Sequence, residues 1–137
     1  MTPIELLKAA WQSGVTSVRV EGGQAKAKWK GKAPADIREP FIEGRQALGA
    51  FIEAEALEGR RYIWSETCGE VVALAISEEA VHGSPVGVVC YGPKELAILR
   101  GIEPDGLRQV HEAKKTFGGA VIAREESDSP LACRGVV

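Results

Sequence analysis

The chain has 137 residues, 45% hydrophobic and 26% charged, enough apolar material for a core, which excludes wholesale disorder, and enough charge to stay in solution. A barrel enzyme or a full dinucleotide-binding fold is excluded by length, which leaves one compact domain or two very small ones. The net charge is only −2, but six basic against two acidic residues up to Lys32 give +4 there and leave −6 for the remainder, so a basic patch can face an acidic partner while the rest stays acidic.

The opening residues predict a helix: Thr2 can cap it, Pro3 suits its first position, and Glu5 completes a Thr-x-x-Glu capping box. Ile4, Leu7 and Trp11 follow at helical spacing, with Leu6 and Ala10 widening the stripe, and Gly14 ends it. A hairpin comes next. Val18 and Val20 alternate with Arg19, the turn is Glu21-Gly22-Gly23, and Ala25, Ala27 and Trp29 alternate with Lys26, Lys28 and Lys30, giving one apolar and one basic face. Beyond the loop Gly31 to Pro34, the residues Ile37, Phe41, Leu48 and Ile52 recur near helical spacing, interrupted by Pro40 and Gly44. An interior proline removes a backbone donor and clashes with the preceding turn, so a short helix from Ala35 to Glu39 and a longer one ending near Ala56 are expected.

After Gly59 the texture changes. Strands are expected at Arg61 to Trp64, Glu70 to Ile76 and Val86 to Tyr91, and the unbroken apolar run Val71 to Ile76 suggests a strand covered on both faces. Ser77 can cap a short turn through Val81, Pro93 starts a helix ending at Gly101, and Pro104 starts another ending at Gly118-Gly119. Ala120 to Ala123 can return as a strand, and the tail 125–137 reads as flexible. The whole is an α+β protein: an αββαα module over 1–57, then a small β-sheet with an αα-hairpin over 58–124, sharing one core or not.

The first segment resembles the TubC N-terminal docking domain, a small αββαα module at the front of some nonribosomal peptide synthetase subunits and of short bacterial mobile-element proteins. The likeness rests on the opening T-P-I-E-L-L, the Gly14-Val15 helix stop, the V-R-V-E-G-G hairpin and a Pro-x-Asp-Ile-Arg helix start, over roughly the first 55 residues. Pro40, Gly44 and Gly49 stand where the family carries good helix formers. The resemblance implies homodimerisation and capture of an acidic partner tail by the hairpin. With no synthetase following the module, what carries over is a docking capacity.

Lys26, Lys28 and Lys30 lie two apart, so a strand puts all three on one face, with Arg19 across the hairpin and Lys32 extending the row. This face is a solvated surface that discourages edge pairing, a site for an acidic protein or peptide, or a nucleic-acid site. A DNA-reading helix-turn-helix from Pro93 to Phe117 is disfavoured, because Glu103 and Asp105 sit at the end of the second helix where base contacts are made. Trp11 and Trp29 are expected to pack on each other and Trp64 to be partly exposed. Cys68 and Cys90 with His82 and His111 could form a thiol–imidazole pair, but no spacing requires it, and no His-Glu-x-x-His, Gly-x-Ser-x-Gly or phosphate-loop motif occurs. Cys90 reads as a buried small hydrophobe, Cys68 as a turn residue, His111 as a helix-flank residue and His82 as a loop residue.

Cys68, Cys90 and Cys133 form an odd set without CxxC spacing, so no disulfide framework, metal or cofactor is expected. The longest apolar run is far below the ~20 residues of a membrane span, and the N-terminus lacks the flank of a signal peptide. A noncatalytic, self-associating, cytoplasmic docking protein with no membrane partner is the reading these residues favour; a nucleic-acid-binding accessory protein is the alternative, and a small enzyme the third class.

Overall fold

The computed structural model describes residues 1–85 and 87–118. Val86, the expected strand Ala120 to Ala123, the tail and Cys133 lie outside the described residues. Helix α1 (Pro3–Gln12) starts as its residues dictate: the Thr2 hydroxyl accepts from the Glu5 amide, and the Glu5 carboxylate accepts from the Thr2 nitrogen. Both otherwise orphaned amides are satisfied, which is why the helix begins there. Strands β1 (Val15–Glu21) and β2 (Gln24–Trp29) form an antiparallel hairpin. Its turn has Gly22 at φ 59° and Gly23 at φ 77°, the left-handed pair that matches the twist of a two-residue hairpin loop. A bulge between Val15 and Ser17 leaves Thr16 free to donate its hydroxyl to Lys28 O at 3.1 Å.

Where two helices were expected, one helix, α2 (Ala35–Leu57), runs straight through Pro40. Proline there forfeits one backbone bond, to the carbonyl of Asp36, close to the N-terminal end and beside exposed residues. Burial of Ile37, Phe41 and Leu48 along one stripe outweighs that loss. The N-terminal unit is therefore αββα, with one long final helix.

The second part holds β3 (Arg60–Ser65), β4 (Glu70–Ala75), α3 (Glu78–His82), β5 (Val89–Tyr91), α4 (Pro93–Leu99) and α5 (Pro104–Phe117). The strands form a sheet of order β3-β4-β5, antiparallel between β3 and β4 and parallel between β4 and β5. The parallel step needs a crossover, and α3, capped by the Ser77 hydroxyl, lies within it. As a central strand β4 buries Val71, Val72, Ala73 and Ala75, although Ile76, expected inside, is 78% exposed because the strand ends at Ala75. Strand β5 is shorter than expected, three residues long. The α+β class expected of the chain is what the structure has.

The core crosses the expected boundary at residue 57. Leu6, Leu7, Ala10, Val15, Ala25, Ile37, Phe41 and Leu48 form one cluster with Val71 of β4, and Tyr62 and Trp64 of β3 pack on it. Tyr62 also packs on a second cluster made of Ala73, Ala75, Ala80 and Cys90. A bidentate ion pair reinforces the junction: Arg60 donates to Glu55 at 2.7 and 3.0 Å and to Ala80 O at 2.7 Å, while the Tyr62 hydroxyl donates to the same Glu55. These contacts join α2, β3 and α3.

Candidate functional site

Two surfaces and one buried cluster carry polar chemistry. On the hairpin, Lys26 and Lys28 are exposed, as are Lys30 at the end of β2 and Lys32 in the loop beyond. Arg19 lies directly opposite Lys26 in the ladder, and Ser17 opposite Lys28. Like charges facing each other across a ladder repel, and Arg19 is relieved by an ion pair with Glu21, whose carboxyl it holds below the usual range. Lys26, Lys28, Lys30 and Lys32 have no such partner among the described residues. The structure thus puts the whole sequence-derived set on or next to one hairpin.

Beside it runs an open groove of about 590 Å³, lined by Trp11, Val15 to Val18, Lys30, Tyr62 to Trp64 and Glu66. Sequence reasoning did not find it, because its two walls are more than forty positions apart in the chain. Trp11 turns out to border this groove, and the ring that meets Trp29 edge-on at 6.0 Å is Phe41 rather than Trp11. Helical and strand periodicity correctly put Trp11 and Trp29 against one core, but such periodicity names a face and not a partner. Trp64 is half-buried, as expected.

The buried cluster lies between α4, α5 and the second sheet. His111 is 2% exposed, a correction to its expected place on a helix flank. Its Nε2 is 2.7 Å from Glu70 and its Nδ1 2.9 Å from the Tyr91 hydroxyl, and a neutral ring with its proton on Nε2 satisfies both. Lys115 pairs with the other Glu70 oxygen at 2.9 Å. Burial pushes the Glu70 carboxyl up, yet the hydrogen bonds from Lys115 and His111 outweigh it and hold the group below its ordinary value. Lys114 donates to Glu95 at 2.6 Å and sits 5.4 Å from the Tyr91 ring centre. His111 and Lys115 of the second helix thus reach Glu70 of the sheet and Lys114 reaches Glu95 of α4, which suits the covering role over the DNA-reading one.

A 320 Å³ cavity beside this cluster is lined by Cys90 and His111 among others. Burial pushes the Cys90 thiol up, and a protonated thiol is a poor nucleophile. Cys68 lies elsewhere, on an apolar cleft with Leu74, Leu96, Leu99 and Leu107, and His82 is an exposed residue closing α3 rather than a loop residue. Among the described residues no group of three or more His, Cys, Asp and Glu side chains could hold a metal, and no helix is long and apolar enough to cross a membrane.

Comparisons with protein-family models, with curated proteins and with solved structures found no match. The class that fold and surface define is therefore stated in physical terms: a small α+β protein with a row of exposed lysines on and next to a hairpin, beside a groove bordered by aromatic residues.

Proposed function

We propose that the protein is a noncatalytic docking module that captures an acidic segment of a partner protein along its basic hairpin. The observation that carries this reading is the set of exposed lysines, Lys26, Lys28, Lys30 and Lys32, without ion-pair partners among the described residues. Four cations held this close repel one another, and an acidic segment relieves the repulsion. Among the described residues, strands β1 and β2 pair only with each other, so each has an outer edge to which an extended segment can add by backbone hydrogen bonds. The likeness of the first segment to docking domains supports the same reading.

Self-association belongs to the proposal, on a different surface from the one a bare module would use. The apolar stripe of α1 and the inner hairpin face are covered within this chain by Val71, Tyr62 and Trp64. Leu57, 90% exposed, and Ile76 remain uncovered at one corner, where the Ile76 amide donates to Gly59 O, and a second copy would meet the protein there.

The test uses the full chain and a fluorescent peptide alternating Glu and Val. Capture should be lost when Lys26, Lys28 and Lys30 are all changed to Glu, with the circular dichroism spectrum unchanged because these side chains face solvent. Undiminished capture by that variant at physiological salt removes the basic hairpin from the site. Tighter binding of duplex DNA than of the peptide, with the steep salt dependence of counterion release, replaces the docking reading with the nucleic-acid one.

A further inference from the structure

The groove beside the hairpin runs between β1 on one side and β3 on the other. Side chains alternate along a strand, so a face contributes every second residue to a cleft. Here Val15, Thr16, Ser17 and Val18 all line it on one side, where the β1 bulge interrupts the alternation, and Tyr62, Ile63 and Trp64 on the other. Among the described residues, both β1 and β3 lie at edges of their sheets. The aromatic residues Trp11, Tyr62 and Trp64 line its walls, and 590 Å³ falls inside the roughly 300–1,000 Å³ of ligand clefts.

Two further features set what would fit. Neither the Trp11 nor the Trp64 indole N–H has an acceptor among the described residues, so both remain able to donate. Lys30 and Glu66 both line the groove and form no ion pair with each other. A uniformly anionic ligand gains at Lys30 and is repelled at Glu66.

We propose that the groove is a slot for one extended segment of a partner protein, which adds as a strand between β1 and β3, sets an apolar side chain against Trp11 and Trp64, and places an acidic residue at Lys30 and a basic or neutral one at Glu66. The occupant is a mixed-charge peptide rather than a polyanion, because Glu66 opposes a phosphate chain as it opposes a run of carboxylates. This deepens the docking reading and rests on it: the hairpin lysines attract acidic segments, and the groove selects among them. One wall of the slot, Tyr62, Ile63, Trp64 and Glu66, comes from outside the segment that resembles a docking domain, so selectivity belongs to the two parts of the chain together.

The experiment measures fluorescence anisotropy of the full chain with three labelled probes: an octapeptide alternating Val with Glu in one half and with Lys in the other, the same peptide with Glu throughout, and a short single-stranded oligonucleotide. The mixed peptide should bind at least tenfold more tightly than the other two at physiological salt. Glu66→Lys should erase that preference by improving the all-Glu peptide, Lys30→Glu should weaken the mixed peptide at least tenfold, and the Lys26→Glu/Lys28→Glu pair should weaken both peptides alike. All four residues are exposed, and an unchanged circular dichroism spectrum checks the fold. Equal binding of both peptides that Glu66→Lys leaves unaltered overturns the groove proposal while the docking reading stands. Preference for the oligonucleotide, or no binding of either peptide, overturns both.

Discussion

A Cβ placed on Gly49 would lie 2.7 Å from the carbonyl oxygen of Gly23 and 2.9 Å from the Ala25 amide, so α2 approaches the hairpin turn at a distance only glycine permits. Gly44 faces Leu6 of α1 in the same way, at 2.6 Å from its Cδ2. Close packing is the physical reason for glycine at both positions. Gly49→Ala should destabilise the protein by about 1–3 kcal/mol through overpacking, despite the ~1 kcal/mol that alanine gains in a helix. Gly44→Ala should cost less, since the end of the Leu6 side chain can move where backbone cannot. Urea midpoints of the two variants check the order; a Gly49→Ala midpoint equal to that of the parent would show that the approach is not required.

The Glu55–Arg60 pair is buried on both sides. Removing one member leaves the other charge uncompensated, so Arg60→Met should cost about 3–5 kcal/mol. Arg60→Met combined with Glu55→Leu should recover part of that loss, leaving Tyr62 and Ala80 O to find new partners. A double-mutant cycle by denaturant unfolding reads the recovery, and strict additivity would show that the two residues do not act as a pair.

Acid should weaken the same junction. The hydrogen bond from Arg60 holds the Glu55 carboxyl below its ordinary 4.5, and Glu70 is also held below 4.5 by Lys115 and His111. A carboxyl depressed by folding contributes stability that is complete above its unfolded value and is lost as pH falls through its folded one. Stability should therefore be level with respect to these two groups above about pH 5 and decline below it. Glu55→Gln should be less stable near neutrality and show a shallower decline. An identical decline in parent and variant would assign the acid sensitivity elsewhere.

Local signals carried much of the fold. The capping box of Thr2 and Glu5, the glycine pair of the hairpin, the alternation of lysines with Ala25, Ala27 and Trp29, and the prolines at the starts of α4 and α5 each act within a few residues and can be read directly. Pro40 was misleading because its penalty is local and modest while the burial of Phe41 and Leu48 is tertiary. His111 lies 41 positions from Glu70 and 20 from Tyr91, and no periodicity announces such partners. Only its spacing from Leu107 on the apolar side of α5 hints at burial. The basic half of the candidate site was legible for the same reason as the hairpin; the groove was not, since Trp11 and Trp64 come from different parts of the chain.

The shared core makes a last claim about how the two parts depend on each other. Val71 is 3% exposed and sits among Leu6, Leu7, Val15 and Phe41, and Tyr62 meets Phe51 of α2 with ring centres 5.4 Å apart. A fragment ending at residue 57 loses all of these contacts and keeps only the α1–hairpin–α2 packing, in a chain near the lower size at which a lone core suffices. It should show the poorly dispersed amide spectrum of an incompletely packed protein at 25 °C. In the full chain, Val71→Ala removes two methyl-sized pieces of buried surface, a cost of about 1.5–2 kcal/mol, and the loss should appear in the exchange rates of the Val15 and Ala25 amides as well as in those of β4. A well-dispersed spectrum from the fragment, with Val71→Ala felt only beyond residue 57, would mean that the N-terminal unit folds by itself and that the two parts are separate domains.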